Sequence, residues 1–367
     1  MRQVEDLVGY CALYEFEDVV AEVTGAEVFA PSDFRKIDFS RKVYKLLRHA
    51  TGSSRLAASL SVSPQAMHPE RSYDLFFPVF NNPFELFALN ALSGWRKRSR
   101  FAACYICEAL SPQMSVYLVE MLKDFDHIFI GINNSRDLIA EISGRPCSYL
   151  PMGVDALRFC PYPDPVVRSI DVCGIGRRSE VTHAALLAMS QRADFFYYYD
   201  TILFRPVAHS GPKLTFRVKN HREHRMLYAN LLKRSRYFIA NRAWADSPEE
   251  RGNDEISARF YEGAAAGAIM LGETPSTEEF RSQFGWADSV ISMPFDAPRV
   301  ADVIAELDAD PARSARIRKD GIVNALLHHD WVYRFRKVLE AVGLEAPEGL
   351  LAREARLREL AEVVAKA

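Results

Sequence analysis

Asn253-Asp254-Glu255-Ile256-Ser257-Ala258-Arg259-Phe260-Tyr261-Glu262-Gly263-Ala264-Ala265-Ala266-Gly267-Ala268-Ile269-Met270-Leu271 holds the plan of the chain in nineteen residues. Its polar start reads as a loop, Ile256–Ala266 as a helix, Gly267 as the stop and Ala268–Leu271 as a buried strand. A helix that feeds directly into a short apolar strand is the repeating unit of a parallel sheet covered on both faces. The small residues Gly263–Gly267 let such a helix lie close to its sheet. The same alternation extends outward. Upstream lie strands Ser169–Gly174, Phe195–Tyr199 and Tyr237–Asn241, with helices Val181–Ser190 and Glu223–Ser235 between them. Downstream come helix Thr277–Phe284, strand Ser289–Ile291 and helix Pro298–Leu307.

A second alternating series precedes this one. Leu7–Leu13, Leu75–Phe80, Ala102–Ile106 and His127–Ile132 read as buried strands, and Asp18–Thr24, Phe84–Leu92 and Ser115–Lys123 as helices. Ser135–Ser143 reads as a helix stopped by Gly144, with Pro146 just beyond. Arg35–Pro64 is polar and basic, with helical potential but no clear period. Between the two series, Pro151-Met152-Gly153-Val154-Asp155 and then Pro161, Pro163 and Pro165 mark an interdomain crossing. The expected fold class is therefore α/β, with two Rossmann-like domains facing each other across a cleft. Residues 1–160 form the first domain and 161–326 the second, while the helices of 327–367 pack back on the first. Ligands of such folds bind at the carboxyl ends of the strands.

Composition narrows the function. The 367 residues are 49% hydrophobic and 26% charged, enough for packed cores. With 46 Lys plus Arg against 48 Asp plus Glu, the net charge of -2 argues against a protein that coats nucleic acid. Six cysteines do not make a disulfide scaffold. The first residues carry acids where a signal peptide begins its apolar run, and no stretch approaches a membrane span, so a cytoplasmic protein is expected. Glu345–Ala367 places Leu350, Leu357, Leu360 and Val364 on one stripe of an ordinary amphipathic helix.

Chemistry concentrates in the opening stretch. Asp254 and Glu262 are eight residues apart, about 12 Å along a continuous helix. That is too far for one sugar ring or one metal ion. It suits a nucleotide sugar, with one carboxylate on the hexose hydroxyls and the other on the ribose diol. The helix start at Ser257 and Ala258 offers unpaired N–H groups to a diphosphate. Downstream of strand Ser169–Gly174, the loop Gly174-Ile175-Gly176-Arg177-Arg178 adds a fork of donors that matches phosphate oxygens, although paired loop arginines are also commonly just solvated. His183 is a phosphate or acceptor contact, or a surface or capping histidine. Arg205–Arg236 contains nine basic residues, three histidines and one acid, Glu223; it reads as a solvated face or as a surface for an anionic donor, a polysaccharide or a lipid-bearing membrane. His224 and Arg225 sit at the start of a helix and are the members expected to face a ligand. In the first domain, Glu108 follows a strand and is a candidate catalytic base or acceptor anchor, or a cap. Asn81, Asn82 and Glu85 could also face an acceptor.

The acid-x7-Glu pair Asp254…Glu262, followed by Gly-Ala-Ala-Ala-Gly, resembles the motif of GT-B glycosyltransferases with group 1-type donor domains. Asp254 replaces the usual Glu with a shorter arm. Pro151-Met152-Gly153-Val154-Asp155 and Phe159-x-Pro161 resemble the crossing into that family's donor domain, and Asp171–Arg178 its first donor-domain strand and glycine loop. The resemblance covers roughly residues 125–290. It implies sugar transfer from a nucleotide-diphosphate sugar to a glycan or lipid-linked acceptor, in surface polysaccharide or glycoconjugate synthesis. The donor site it implies comprises Gly174, Gly176, Arg177, Arg178, His224, Asp254, Ser257, Ala258, Arg259 and Glu262. Glu108, Arg177 and Asp254 are the catalytic candidates. Many retaining members carry Arg in the glycine loop and Lys five residues later; here that position is Thr182, so either Arg178 or another loop supplies the second cation, or this branch uses a different phosphate clamp.

No cofactor is implied beyond the donor, which is itself a substrate. Asp308-Ala309-Asp310 reads as a turn between helices, and His328-His329-Asp330 lacks helical ligand spacing, so no metal site is expected. Cys104-x-x-Cys107 falls in a buried strand and reads as core. Peripheral association with the inner face of a membrane is compatible with the basic stretch, and nucleic acid is not an expected partner. Two competing readings remain: a GT-B-like nucleotide-sugar epimerase, and a non-catalytic polyanion-binding protein. A phosphorylase lacks its cofactor lysine.

Overall fold

The computed structural model describes residues 8–30, 34–53, 56–57, 60, 67–108, 116–192, 194–200, 218–246 and 254–367. The chain divides into two compact units. The first takes in the described residues of Met1–Pro151, Phe216–His221 and Arg334–Pro347; the second takes in those of Met152–Thr215, Arg222–Tyr333 and Glu348–Ala367.

The first unit opens with α1 (Cys11–Thr24) and α2 (Phe34–Thr51). Next come strands β1 (Tyr73–Phe76), β2 (Val79–Phe80) and β3 (Ser99–Ile106), then α3 (Val116–Leu122), β4 (His127–Ile130), α4 (Arg136–Ser143) and β5 (Cys147–Tyr149). The sheet is parallel in the order β1-β3-β4-β5, with β2 also on β3. Pro78 separates β1 from β2 while its carbonyl still accepts the Tyr105 N–H at 3.0 Å. Residues Ala102–Ile106 are fully buried, as expected of a central strand. Gly144 ends α4 in the left-handed conformation, its N–H on the Ala140 carbonyl.

One element differs in kind. The strand expected over Leu7–Leu13 is instead a 3-10 turn, Val8–Tyr10, that runs into α1; Leu7 lies outside the described residues. Cys11–Phe16 are all buried, Glu15 included. A helix start without a solvent face shows no polar alternation, so its sequence mimics a buried strand. The helix expected at Phe84–Leu92 is a 3-10 helix, Pro83–Ala91, whose start is capped by the Asn82 side chain. Glu85 accepts the Asn81 N–H at 2.7 Å, so Asn81, Asn82 and Glu85 hold this start together.

The second unit runs α5 (Ala156–Phe159), β6 (Ile170–Gly174), α6 (Glu180–Met189), β7 (Tyr197–Tyr199), α7 (His221–Lys233) and β8 (Ser235–Ile239). It continues α8 (Ala258–Ala266), β9 (Ile269–Gly272), α9 (Glu278–Gln283), β10 (Ile291–Ser292), α10 (Val300–Ala309) and α11 (Pro311–Asn324). Its sheet is parallel throughout, ordered β10-β9-β8-β6-β7. Helix α8 lies tight on that sheet: a Cβ on Gly263 would sit 2.7 Å from the Met270 sulfur.

The C-terminal helices, expected to return together to the first domain, part company. Most of α12 (Trp331–Ala341) belongs with the first unit, but α13 (Glu348–Lys366) belongs with the second. Its stripe of Leu350, Leu357, Ala361 and Val364 is buried, and its Arg353 is held at both sides by carboxylates. Arg353 donates to Asp155 at 2.7 Å and to Asp330 at 2.8 and 2.9 Å. Burial pushes the Asp155 pKa up, but Arg353 and then Arg158 outweigh it and hold the carboxyl below its usual range. The unit boundary accordingly falls at Pro151, ahead of the expected residue 160, because Val154 and Asp155 are already tied to His329 and Arg353. Asp330 of the His-His-Asp run is thus a structural anchor.

Candidate functional site

The second sheet contains a topological switch. From β6 the chain moves outward to β7, then returns across β6 to β8, so the loops after β6 and β8 diverge from neighbouring strand ends. A crevice at that point is the general ligand position of open parallel sheets. Both loops carry candidate residues. After β6 come Gly174 and Gly176; after β8 the chain leads through 254–257 into α8.

These two loops meet through one side chain. Gly176 has φ +83°, a conformation that L side chains rarely adopt, and a Cβ there would lie 2.2 Å from Arg259 Nη2. The glycine therefore leaves the space that the Arg259 guanidinium fills. Arg259 is the second residue of α8, so its charge sits beside the helix start. Ser257, the N-cap, spends its hydroxyl on the Asn241 carbonyl at 2.8 Å instead of capping the helix. Among the described residues, nothing accepts the Ala258 and Arg259 N–H groups. An uncapped helix start with an arginine beside it concentrates donors and positive potential at one point.

The expected loop arginines are placed otherwise. Arg177 is exposed and reaches Asp246 at 3.3 Å. Arg178 donates to the Asp200 carbonyl at 2.7 Å and lies over the Tyr199 ring. The Gly176 N–H is likewise occupied, by Asp200 at 2.8 Å. Gly174 packs against Tyr197: a Cβ would come 3.0 Å from its hydroxyl oxygen. His183 is neither a surface nor a capping residue. It is buried on α6, its Nδ1 3.1 Å from the same Tyr197 hydroxyl, and burial and then Arg178 push its pKa down.

Asp254 lies four residues before the first residue of α8, so the pair Asp254…Glu262 does not share one continuous helix. Asp254 Oδ2 accepts the Ser276 N–H at 2.7 Å and its hydroxyl at 2.8 Å. Its other oxygen is buried, stands 3.6 Å from Arg242 Nε and accepts no hydrogen bond among the described residues. Arg242 itself donates to Glu273 at 2.6 Å. A buried carboxylate oxygen with spare acceptor capacity is costly unless something uses it. The adjacent Glu255 has its pKa pushed up to about 7 by burial, then by the charges of Glu279 and Asp254.

Glu262 contrasts with the open carboxylate expected for a ribose. It is 4% exposed, and Oε1 takes a hydrogen bond from Arg225, itself 3% exposed. The Arg225 guanidinium lies 4.7 Å above Phe159 and 5.7 Å from the Tyr228 ring. Among the described residues, Oε2 accepts no hydrogen bond. His224 is half-buried and stacks on Tyr228; burial, then Arg225, pushes its pKa down against the pull of Glu262. Arg225, expected to face a ligand, is instead buried against Glu262, and Arg259, one member of the expected donor set, holds the place beside the helix start.

The other candidates stand apart. Glu108 belongs to the first unit, exposed in the turn after β3, with its N–H on the Asn81 carbonyl at 2.7 Å. Part of the basic stretch, including Arg205, Lys213 and Arg217, lies outside the described residues. Of the rest, Arg225 is buried and Arg236 is paired with Asp171 and Asp308. Asp310 caps α11. Cys104 is buried core. Among the described residues, no three His, Cys, Asp or Glu side chains group as metal ligands, and no helix is long and apolar enough to cross a membrane. A cavity of about 550 Å³ lies in the first unit, lined mainly by groups such as Phe29, Leu75, Phe77 and Phe335. Its Glu27 and Arg71 pair at 3.0 Å.

Residues 203–340 match the family model described as glycosyl transferase-like. Over that stretch the chain is thus glycosyl transferase-like. That match spans the helix start, Arg259 and both motif carboxylates. No curated protein sequence matches the chain. Among solved structures, Anabaena HepE in complex with UDP-glucose is 13% identical with a TM-score of 0.46, over 74% of this chain and 79% of that one. A glycosyltransferase from Rickettsia africae is 13% identical with a TM-score of 0.41, over 86% and 83%. TarM is 10% identical with a TM-score of 0.44, over 72% and 54%. The matched residues include β8, the start of α8 and Arg259, while β6 and Gly176 precede them.

Proposed function

We propose that this glycosyltransferase binds a nucleotide-diphosphate sugar at the β6/β8 switch and passes the sugar to a glycan or lipid-linked acceptor in surface polysaccharide or glycoconjugate synthesis. The observation that carries the reading is the meeting of Arg259, the uncapped start of α8 and Gly176. A diphosphate is the ligand that such a concentration of N–H donors and positive charge fits. Arg259 takes the role that the sequence assigned to Arg177. Asp254 offers its unspent oxygen to hydroxyls of the transferred sugar, and Glu262, fixed through Oε1 by Arg225, offers Oε2 to the ribose.

The chemistry follows from charge. As the glycosidic C–O bond to the β-phosphate breaks, the sugar takes on oxocarbenium character and the diphosphate gains negative charge. Arg259 and the α8 dipole are already oriented toward that charge, so they stabilise the transition state more than the ground state. The acceptor hydroxyl then forms the new C–O bond and gives up its proton; Glu108, exposed at the carboxyl end of β3, is the candidate to take it. The cation at the helix start supplies the leaving-group stabilisation, and transfer proceeds without a resident metal. The chain works in the cytoplasm, in peripheral contact with a membrane where its acceptor is lipid-linked.

The experiment is incubation with a panel of nucleotide-diphosphate sugars, with release of nucleoside diphosphate as readout. One donor should be turned over, by transfer or by slow hydrolysis, and Glu262→Ala should abolish its binding. Epimerised nucleotide sugar without release favours the epimerase. Salt-sensitive polyanion binding without turnover favours the binding protein.

A further inference from the structure

Among the described side chains of helix α2, Tyr44 and Leu47 face the core. Tyr44 is buried and meets Phe87 edge to face at 5.4 Å, with Leu47 on the same core. On the opposite side Phe39 is 65% and Leu46 69% exposed, two turns apart on one stripe, with Lys42, Lys45 and His49 exposed around them. Just beyond the helix, Leu56 and Leu60 are 55% and 64% exposed. Between residues 35 and 55 the sequence has seven Lys or Arg and one acid, Asp38, in a chain whose net charge is -2.

We infer that this outer face of α2 docks on an anionic lipid bilayer. Two features together select that partner. Exposed Phe and Leu side chains gain by entering the boundary between headgroups and acyl chains, and flanking lysines lay their stems along that boundary while their charges meet anionic headgroups. A nucleic-acid backbone would reward the lysines but leave the leucines in water. The inference deepens the membrane part of the proposed function. It does not involve the donor site, so the two can fail separately.

The test is co-sedimentation of the full chain with vesicles of phosphatidylcholine alone or with about one third phosphatidylglycerol, at near-physiological salt, beside a nucleoside diphosphate titration of each variant. The wild type should sediment with anionic vesicles only. Lys42→Glu with Lys45→Glu, and separately Phe39→Ser with Leu46→Ser, should each weaken partitioning at least about tenfold while leaving nucleotide affinity unchanged. Leu46→Trp should shift its fluorescence to the blue on anionic vesicles. Absence of vesicle binding, equal binding to neutral vesicles, unaffected variants, an unshifted tryptophan, or stronger binding to duplex DNA than to anionic vesicles would each overturn the inference. Loss of nucleotide binding with vesicle binding intact would instead count against the donor site.

Discussion

Arg259→Met removes a guanidinium while keeping an unbranched side chain that α8 tolerates. Its charge lies beside the uncapped helix start, and a hydrogen bond to a charged group contributes about 1.5–3 kcal/mol. Nucleoside diphosphate affinity should therefore fall roughly ten- to 150-fold. Gly176→Ala reaches the same end by another route. Its Cβ would stand 2.2 Å from Arg259 Nη2, so the guanidinium must leave its place. The alanine also takes on left-handed strain of about 1–2 kcal/mol, seen as lower stability. Arg177→Met is the control: that side chain is exposed on Asp246, and its loss should change affinity less than about threefold, within the range of a surface ion pair. The assay is isothermal titration with UDP, GDP and ADP, using whichever binds the wild type tightest, and with the matching nucleoside. Nucleoside affinity should scarcely change. If Arg259→Met bound the diphosphate like wild type while Arg177→Met did not, the assignment of the phosphate contact would be wrong.

Other outcomes follow from the same geometry. Arg353→Met strands the buried Asp155 and Asp330 carboxylates and should cost about 3–5 kcal/mol in chemical denaturation. Because the Asp155 pKa is depressed in the fold, its contribution is present at neutral pH and lost on acidification through the folded value, so the variant should show a flatter acid limb. Glu255 has the opposite sign. Raised to about 7, it favours the fold below pH 4.5 relative to its state above pH 7, so stability declines as pH rises through that window. Glu255→Gln should exceed the wild type in thermal stability at pH 8 and match it more closely near pH 5. Asp254→Asn, which keeps the Ser276 contact within reach, should lower turnover far more than nucleoside diphosphate affinity, because the sugar is its expected ligand.

The alternation of strands and helices was legible because each element is short and bounded by its own glycine, proline or cap. Gly144 and Gly267 stop helices where their neighbours suggest. The start of α1 was not legible, since burial on every side erases the period that separates helix from strand. At the site, spacing singled out Asp254, Glu262 and the helix start as candidates, although the continuous helix it assumed between the two carboxylates begins only at Ala258. The service of Arg259 to Gly176 could not be found from spacing: it depends on strand order and on a φ of +83° that sequence does not state. The partners of Glu262 and Asp155 lie 37 and 198 residues away, separations over which a local pattern carries no information. The return of α13 to the second unit has the same cause, since its anchor is one arginine among many on an amphipathic helix.

The proposed donor site stands on a diphosphate resting against the start of α8 beside Arg259. The most direct measurement is a crystal structure of the chain with the nucleoside diphosphate that binds it tightest. Phosphate oxygens should lie within hydrogen-bond distance of the Ala258 and Arg259 N–H groups and of the Arg259 guanidinium. A nucleotide seated elsewhere, with that helix start facing water and Arg259 still over Gly176, would contradict it.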